Sequence, residues 1–168
     1  ELSLVPNSDI SHKEKLIFDG EEWRALPVIP IYGGNATGKT NILNGLRNLK
    51  ELVTGMKTTL ENYDRCKFIK KEQTTFEIVY VKNKVKYFYS ISYSKNDVEK
   101  EFLYYYPNGR STKIFDRTFD KITFGNFFEN ELKKTTDKVI RERSFLFVLG
   151  FWLKKNVVLQ EAYSFFLN

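Results

Sequence analysis

The spacing of apolar positions changes along this chain, and the changes divide one partial domain into residues 1–55, 56–125 and 126–168. In the first stretch, Val28 to Tyr32 is a short apolar run that predicts a strand. Pro27 and Pro30 conflict with it, because proline is unwelcome in the centre of a sheet. Leu16-Ile17-Phe18-Asp19, followed by Gly20, predicts a second strand and a turn. Further on, Ile42, Leu43, Leu46, Leu49 and Val53 recur at helical spacing on one face, opposite Arg47, Lys50 and Glu51. Gly55 supplies a stop, and Gly45 weakens this helix by about 1 kcal/mol relative to alanine.

From Thr75 the period becomes two. Phe76, Ile78 and Tyr80 alternate with Glu77 and Val79, and Val85, Tyr87, Tyr89, Ile91 and Tyr93 share a face opposite Lys86, Phe88, Ser90 and Ser92. Turn residues at Lys82-Asn83-Lys84, Ser94 to Asp97 and Pro107-Asn108-Gly109 separate the runs, which predicts an antiparallel meander of three to five strands. It continues through Lys113 to Phe115 and Ile122 to Phe124. Residues 56–72 are mixed and polar, and suggest a mobile connection or lid. A polar stretch, 129–143, leads into the longest apolar run, Phe145 to Leu153, and then a second helical segment, Val157 to Leu167. The apolar run is shorter than the ~20 residues a membrane helix needs, so it predicts a buried helix or a partner-facing surface.

Composition fits a soluble domain with an ample core, 42% hydrophobic and 16% aromatic. Cys66 and His12 are each alone in the sequence, which excludes an internal disulfide and multi-histidine metal sites and suits a reducing cytoplasm. The chain opens at Glu1 and holds one methionine, Met56, so its natural start is expected to lie elsewhere. A net charge of +6 with many tyrosines suits single-stranded nucleic acid. The plainer account is that aromatic residues fit a pleated surface and lysines protect sheet edges.

The sharpest chemistry lies between the predicted strand and helix. Residues 33–40, Gly-Gly-Asn-Ala-Thr-Gly-Lys-Thr, satisfy G-x-x-x-x-G-K-[ST], the phosphate-binding P-loop. Gly33 and Gly38 permit backbone conformations that let the amides from Asn35 to Thr40 form a concave nest around phosphate oxygens. The helix N-terminus adds donors without intrahelical acceptors and a partial positive charge. The Lys39 ammonium can reach β- and γ-phosphates and is the candidate catalytic side chain, while the Thr40 hydroxyl is the candidate Mg²⁺ ligand. Gly33, Gly34, Asn35, Ala36, Thr37, Gly38, Lys39, Thr40 and Asn41 are thus the candidate nucleotide-binding residues. The guanine-reading motifs of GTPases are absent, since Asn83-Lys84-Val85-Lys86 lacks the required aspartate. ATP is therefore favoured. A small-molecule kinase needs lid arginines, for which Arg110, Arg117, Arg141 and Arg143 are candidates.

Ile31 to Asn41 resembles the P-loop of RecF/SMC-like, ABC-type ATPases, in particular bacterial AAA-family ATPases of anti-phage and abortive-infection systems. Val98-Glu99-Lys100-Glu101-Phe102-Leu103, with Ile114-Phe115-Asp116-Arg117, is similar to the β-subdomain of that group, and Arg143-Ser144-Phe145-Leu146 to the start of its following helix. The resemblance implies an α/β P-loop NTPase core bearing an antiparallel meander and C-terminal helices, here the incomplete N-terminal part of a longer domain. It also implies homo-oligomers joined through nucleotide, with DNA or an effector nuclease as partner. Its Walker B and Leu-Ser-Gly-Gly signature elements are not in the sequence. Gln73 and Gln160 are the only candidates for its γ-phosphate-sensing glutamine.

Overall fold

The structure, a computed structural model, describes residues 2–8, 12–19, 23–59, 73–152 and 155–167. A short antiparallel pair of β1 (Ile17–Asp19) and β2 (Trp23–Ala25) comes first, so Ile17 to Asp19 of the predicted segment form a strand, while the turn predicted at Gly20 lies outside the described residues. The strand expected at Val28 to Tyr32 is not formed, and residues 26–34 lie in neither strand nor helix. Pro27 and Pro30 remove donors from the run. Val28 and Tyr32 are 72% and 89% exposed, so no described strand lies over them to complete a ladder.

Helix α1 (Lys39–Val53) forms where the apolar spacing places it, and closes with Thr54 N–H bonded to Lys50 O and Gly55 at φ 73°. Its apolar face is only half covered. Leu49, Leu52 and Val53 are buried, whereas Leu43 and Leu46, in the half next to the P-loop, are 63% and 49% exposed.

The predicted meander is a five-stranded antiparallel sheet in sequential order: β3 (Thr74–Lys82), β4 (Val85–Tyr93), β5 (Val98–Tyr106), β6 (Thr112–Thr118) and β7 (Lys121–Phe124). Asn83 and Lys84, at φ 49° and 68°, form the two-residue turn between β3 and β4. Positive φ at both positions gives a twist that matches the strands it joins. Pairing of Tyr80 with Tyr87, Ile78 with Tyr89 and Phe76 with Ile91 puts the apolar set on one face. A short helix α2 (Glu129–Leu132) and a 3-10 turn (Lys133–Lys138) then lead to α3 (Phe145–Trp152) and α4 (Val157–Ser164). The helices cover the apolar face: Gly45 of α1 sits against Phe76, the Tyr80 hydroxyl donates to Ala162 O of α4 at 2.9 Å, and Phe115 meets Phe145 of α3 edge-on at 5.0 Å. The tyrosines of this face are core residues whose hydroxyls find partners, Tyr87 donating to Glu161 Oε2 at 3.2 Å and Tyr80 and Tyr89 bonding within the core. The plainer account of these rings holds.

One polar cluster is sealed inside. Glu101 of β5 and Arg117 of β6 are both fully buried, 3.5 Å apart. The Glu101 carboxylate also accepts from the Phe145 and Leu146 amides at 2.6 and 3.0 Å and from the Tyr89 hydroxyl at 2.9 Å. Arg117 spends its other donors on the carbonyls of Phe119, Arg143 and Ile140 at 2.7, 2.8 and 3.1 Å. Burial pushes the Glu101 carboxyl above the usual carboxylate range, and Arg117, the two amides and Tyr89 offset only part of that rise. The three segments that carry the family resemblance outside the P-loop therefore meet at one point. There the cluster fastens the first turn of α3 to the sheet.

A second fastening joins α1 to α3. The Gly55 carbonyl accepts from Arg143 Nη1 at 2.7 Å, and a Cβ at Gly55 would run into the Phe147 ring. Residues 60–72, most of the predicted lid, lie outside the described residues. Among the described residues no helix is long and apolar enough to cross a membrane.

Replacing Glu101 with alanine strands Arg117 in the core, and is expected to cost about 3–5 kcal/mol in denaturant unfolding. Gly45→Ala should act in the opposite direction. Its Cβ would lie 3.5 Å from Phe76, an ordinary contact, in a helical backbone. The gain of about 1 kcal/mol should raise the melting temperature by roughly 2–4 °C in a chain of this size.

Candidate functional site

The loop ahead of α1 is built from two left-handed residues, Ala36 at φ 62° and Gly38 at φ 88°, with Thr37 between them outside that region. Such alternation turns successive backbone N–H groups toward one side, the anion-binding nest. Gly38 is the residue before the first turn, and no side chain caps that turn. Its first turn holds no acidic residue, so no carboxylate of the helix competes for the positive end of the dipole. Ala36, Thr37, Gly38, Lys39, Thr40 and Asn41 line a cavity of about 180 Å³ here. A whole small-molecule pocket runs to about 300–1,000 Å³, so this hollow fits a phosphate tail rather than an entire nucleotide.

Gly33 and Gly34 stand beside the cavity rather than in its wall. Their carbonyls accept from the Lys39 ammonium at 2.7 and 2.6 Å, and the Thr37 hydroxyl donates to Gly34 O at 2.9 Å. These bonds fold the loop back over its own helix start and hold the cation at the edge of the nest. The need for glycine differs at each position. Gly38 answers to its positive φ, whereas at Gly33 an added Cβ would sit 2.7 Å from Thr37 Oγ1. Ala36 takes up the second left-handed position despite its Cβ, which the consensus pattern did not reveal because it leaves that position open. Asn35 is exposed in the loop, and so is the Thr40 side chain at the start of α1.

Backbone donors, one ammonium and one hydroxyl gathered on a hollow of this size can hold a polyphosphate. The Thr40 hydroxyl can contribute one of the oxygen ligands that Mg²⁺ prefers, with waters and phosphate oxygens supplying the rest. Among the described residues no three His, Cys, Asp or Glu side chains gather as an independent metal site.

Other candidates from the sequence lie elsewhere. Gln73 donates to Glu99 at 3.0 Å and Gln160 to Gly150 O at 3.2 Å, and neither lines the cavity. Arg117 and Arg143 are fasteners of the fold, and Arg141 pairs with Asp120 at 2.6 Å. That takes Arg117 and Arg143 away from the kinase-lid role, while Arg141, in a solvent-exposed pair, and Arg110, exposed at a sheet turn, do not line the cavity.

The family described as "AAA domain, putative AbiEii toxin, Type IV TA system" matches residues 29–144, more than half of the chain, from just before the P-loop to the residue preceding α3. No curated protein and no solved structure matches it.

The close approach at Gly33 is testable by paired substitution. Gly33→Ala should remove the rise in melting temperature that ATP with Mg²⁺ gives. Adding Thr37→Ala, which deletes the obstructing oxygen, should restore most of it in the same thermal-shift measurement.

Proposed function

We propose, since the chain belongs to this AAA-domain family and thus to the AAA-type P-loop ATPases, that it binds ATP with Mg²⁺ through residues 33–41 and uses nucleotide to join two copies of the protein. The observation that supports this reading best is the nest at residues 36–38 opening directly into α1, with the Lys39 ammonium held at its edge.

In this reading the amides from Asn35 to Thr40 donate to the α- and β-phosphates, and the Lys39 ammonium supplies the charge that completes the grip. Lys39 exchanges the Gly33 and Gly34 carbonyls for oxygens of the β- and γ-phosphates, so its binding energy is the difference between two sets of hydrogen bonds. The Thr40 hydroxyl would help hold Mg²⁺, which would supply charge neutralisation on the terminal phosphates. Water activation is a separate task. Among the described residues no carboxylate lines the cavity, and in this reading residues outside the P-loop orient the attacking water. A protomer interface through nucleotide, closed by binding and released by hydrolysis, would supply them.

Bacterial defence is the setting we infer, from the resemblance to anti-phage ATPases and from the toxin–antitoxin system in the family's description. DNA, or an effector nuclease, is the partner class. A second reading is a nucleotide-gated scaffold that tethers such an effector with little turnover.

Saturating ATP and Mg²⁺ should stabilise the intact protein, by about 2.7 kcal/mol at a hundred times Kd. Lys39→Ala should abolish the gain while leaving the melting temperature without nucleotide close to that of the parent. A Lys39→Ala protein that still gains stability would remove the proposal. Steady phosphate release from the intact protein supports the ATPase, whereas binding with negligible release supports the scaffold.

A further inference from the structure

The face of the sheet turned away from the helices is not the polar surface expected where an antiparallel sheet meets water. Register places Lys86 opposite Tyr106, Phe88 opposite Tyr104 and Ser90 opposite Phe102 on this outer face of β4 and β5. Phe88 and Phe102 meet edge-to-face at 5.2 Å, Phe102 and Tyr104 at 5.7 Å, and the Lys86 ammonium lies 4.1 Å from the centre of the Tyr106 ring. These rings are half-buried against one another, while α1, α3 and α4 all pack on the opposite face. Strand propensity explains why aromatic residues occur in β4 and β5. It does not explain a connected set of rings on the side the helices leave uncovered, and such patches mark binding surfaces.

Charge decides the class of ligand. Lys86, Lys100, Lys113 and Lys121 lie on this face by register, with Glu77 and Asp116 as its acidic residues in the strands. Cations thus border the rings on successive strands, on a chain of net charge +6. A purely apolar partner would leave those ammonium groups desolvated. A ligand with flat apolar rings linked by phosphates satisfies both features at once, since bases stack on aromatic side chains and lysines neutralise the backbone.

We propose that the outer face of β4 and β5 binds single-stranded nucleic acid, with Phe88, Phe102, Tyr104 and Tyr106 as the stacking platform and Lys86, Lys100 and Lys113 on the phosphates. The inference stands apart from the P-loop. It is tested without ATP, where failure of nucleotide binding has no bearing on it.

The measurement is fluorescence anisotropy of a labelled oligothymidine, the oligouridine of equal length and a duplex, titrated with the intact protein at low salt. Single strands should bind ahead of the duplex, and either single strand doing so supports the proposal. Phe102→Ala and Tyr104→Ala should each weaken binding about tenfold, and Phe102→Tyr, which keeps a stacking ring, should retain it. Lys86→Ala should lessen the salt dependence, lowering the log–log slope by roughly 0.7. Melting curves accompany every variant, and Tyr104→Ala serves where Phe102→Ala does not fold. Absence of binding at low salt, binding that well-folded Tyr104→Ala leaves unchanged, or preference for the duplex would each overturn the proposal. So would a Tyr104-dependent self-association seen by sedimentation without any oligonucleotide binding, which would mark the face as a contact between copies.

Discussion

The buried pair of Glu101 and Arg117 is the constraint on which the arrangement of sheet and helices depends. Two charges taken out of water are tolerated only when each is surrounded by partners of opposite polarity, and here the partners belong to different elements. Glu101 takes the amides that begin α3 and the hydroxyl of Tyr89 in β4, while Arg117 takes the carbonyls that lead into α3. An apolar pair in their place would leave those amides and carbonyls without partners. The cluster therefore specifies one docking of helix on sheet, where an oily interface would permit several.

Around that anchor the two halves of the chain are built on different logic. The sheet and its C-terminal helices form a closed core in which Tyr87, Tyr89, Ile91, Leu103, Phe115 and Phe145 are wholly buried. The phosphate-binding half is open. Its helix is held by Leu49, Leu52 and Val53 and by the Gly55 contact, while its front half, with the run Val28 to Tyr32, presents apolar side chains to solvent. The nest itself needs no core, because local backbone geometry and the bonds among Gly33, Gly34, Thr37 and Lys39 define it.

Much of this was legible in the sequence, for identifiable reasons. Period-two alternation marked the meander because one face is buried and one is not, and the turn at Lys82-Asn83-Lys84 declared itself by residue type. The P-loop was legible because its constraint is local. The strand at 28–32 was over-read: apolar runs report what a segment can bury, not whether a neighbour is present to bury it, and the same limit explains the exposed Leu43 and Leu46. The Glu101–Arg117 cluster was invisible as chemistry, since a charged residue in an alternating strand looks like any surface position until its partners, distant in sequence, are known. Aromatic residues on β4 and β5 posed the converse difficulty. Their composition alone could not separate the rings that fill the core from those on the open face.

The contact between Gly55 and Phe147 gives α1 a fixed end and a free one. A helix of 15 residues is about 22 Å long. Over that length a tilt of about 5° would carry the P-loop end by ~2 Å. A small rearrangement at the base of the helix would thereby be magnified at the tip, where the nest of residues 36–38 lies.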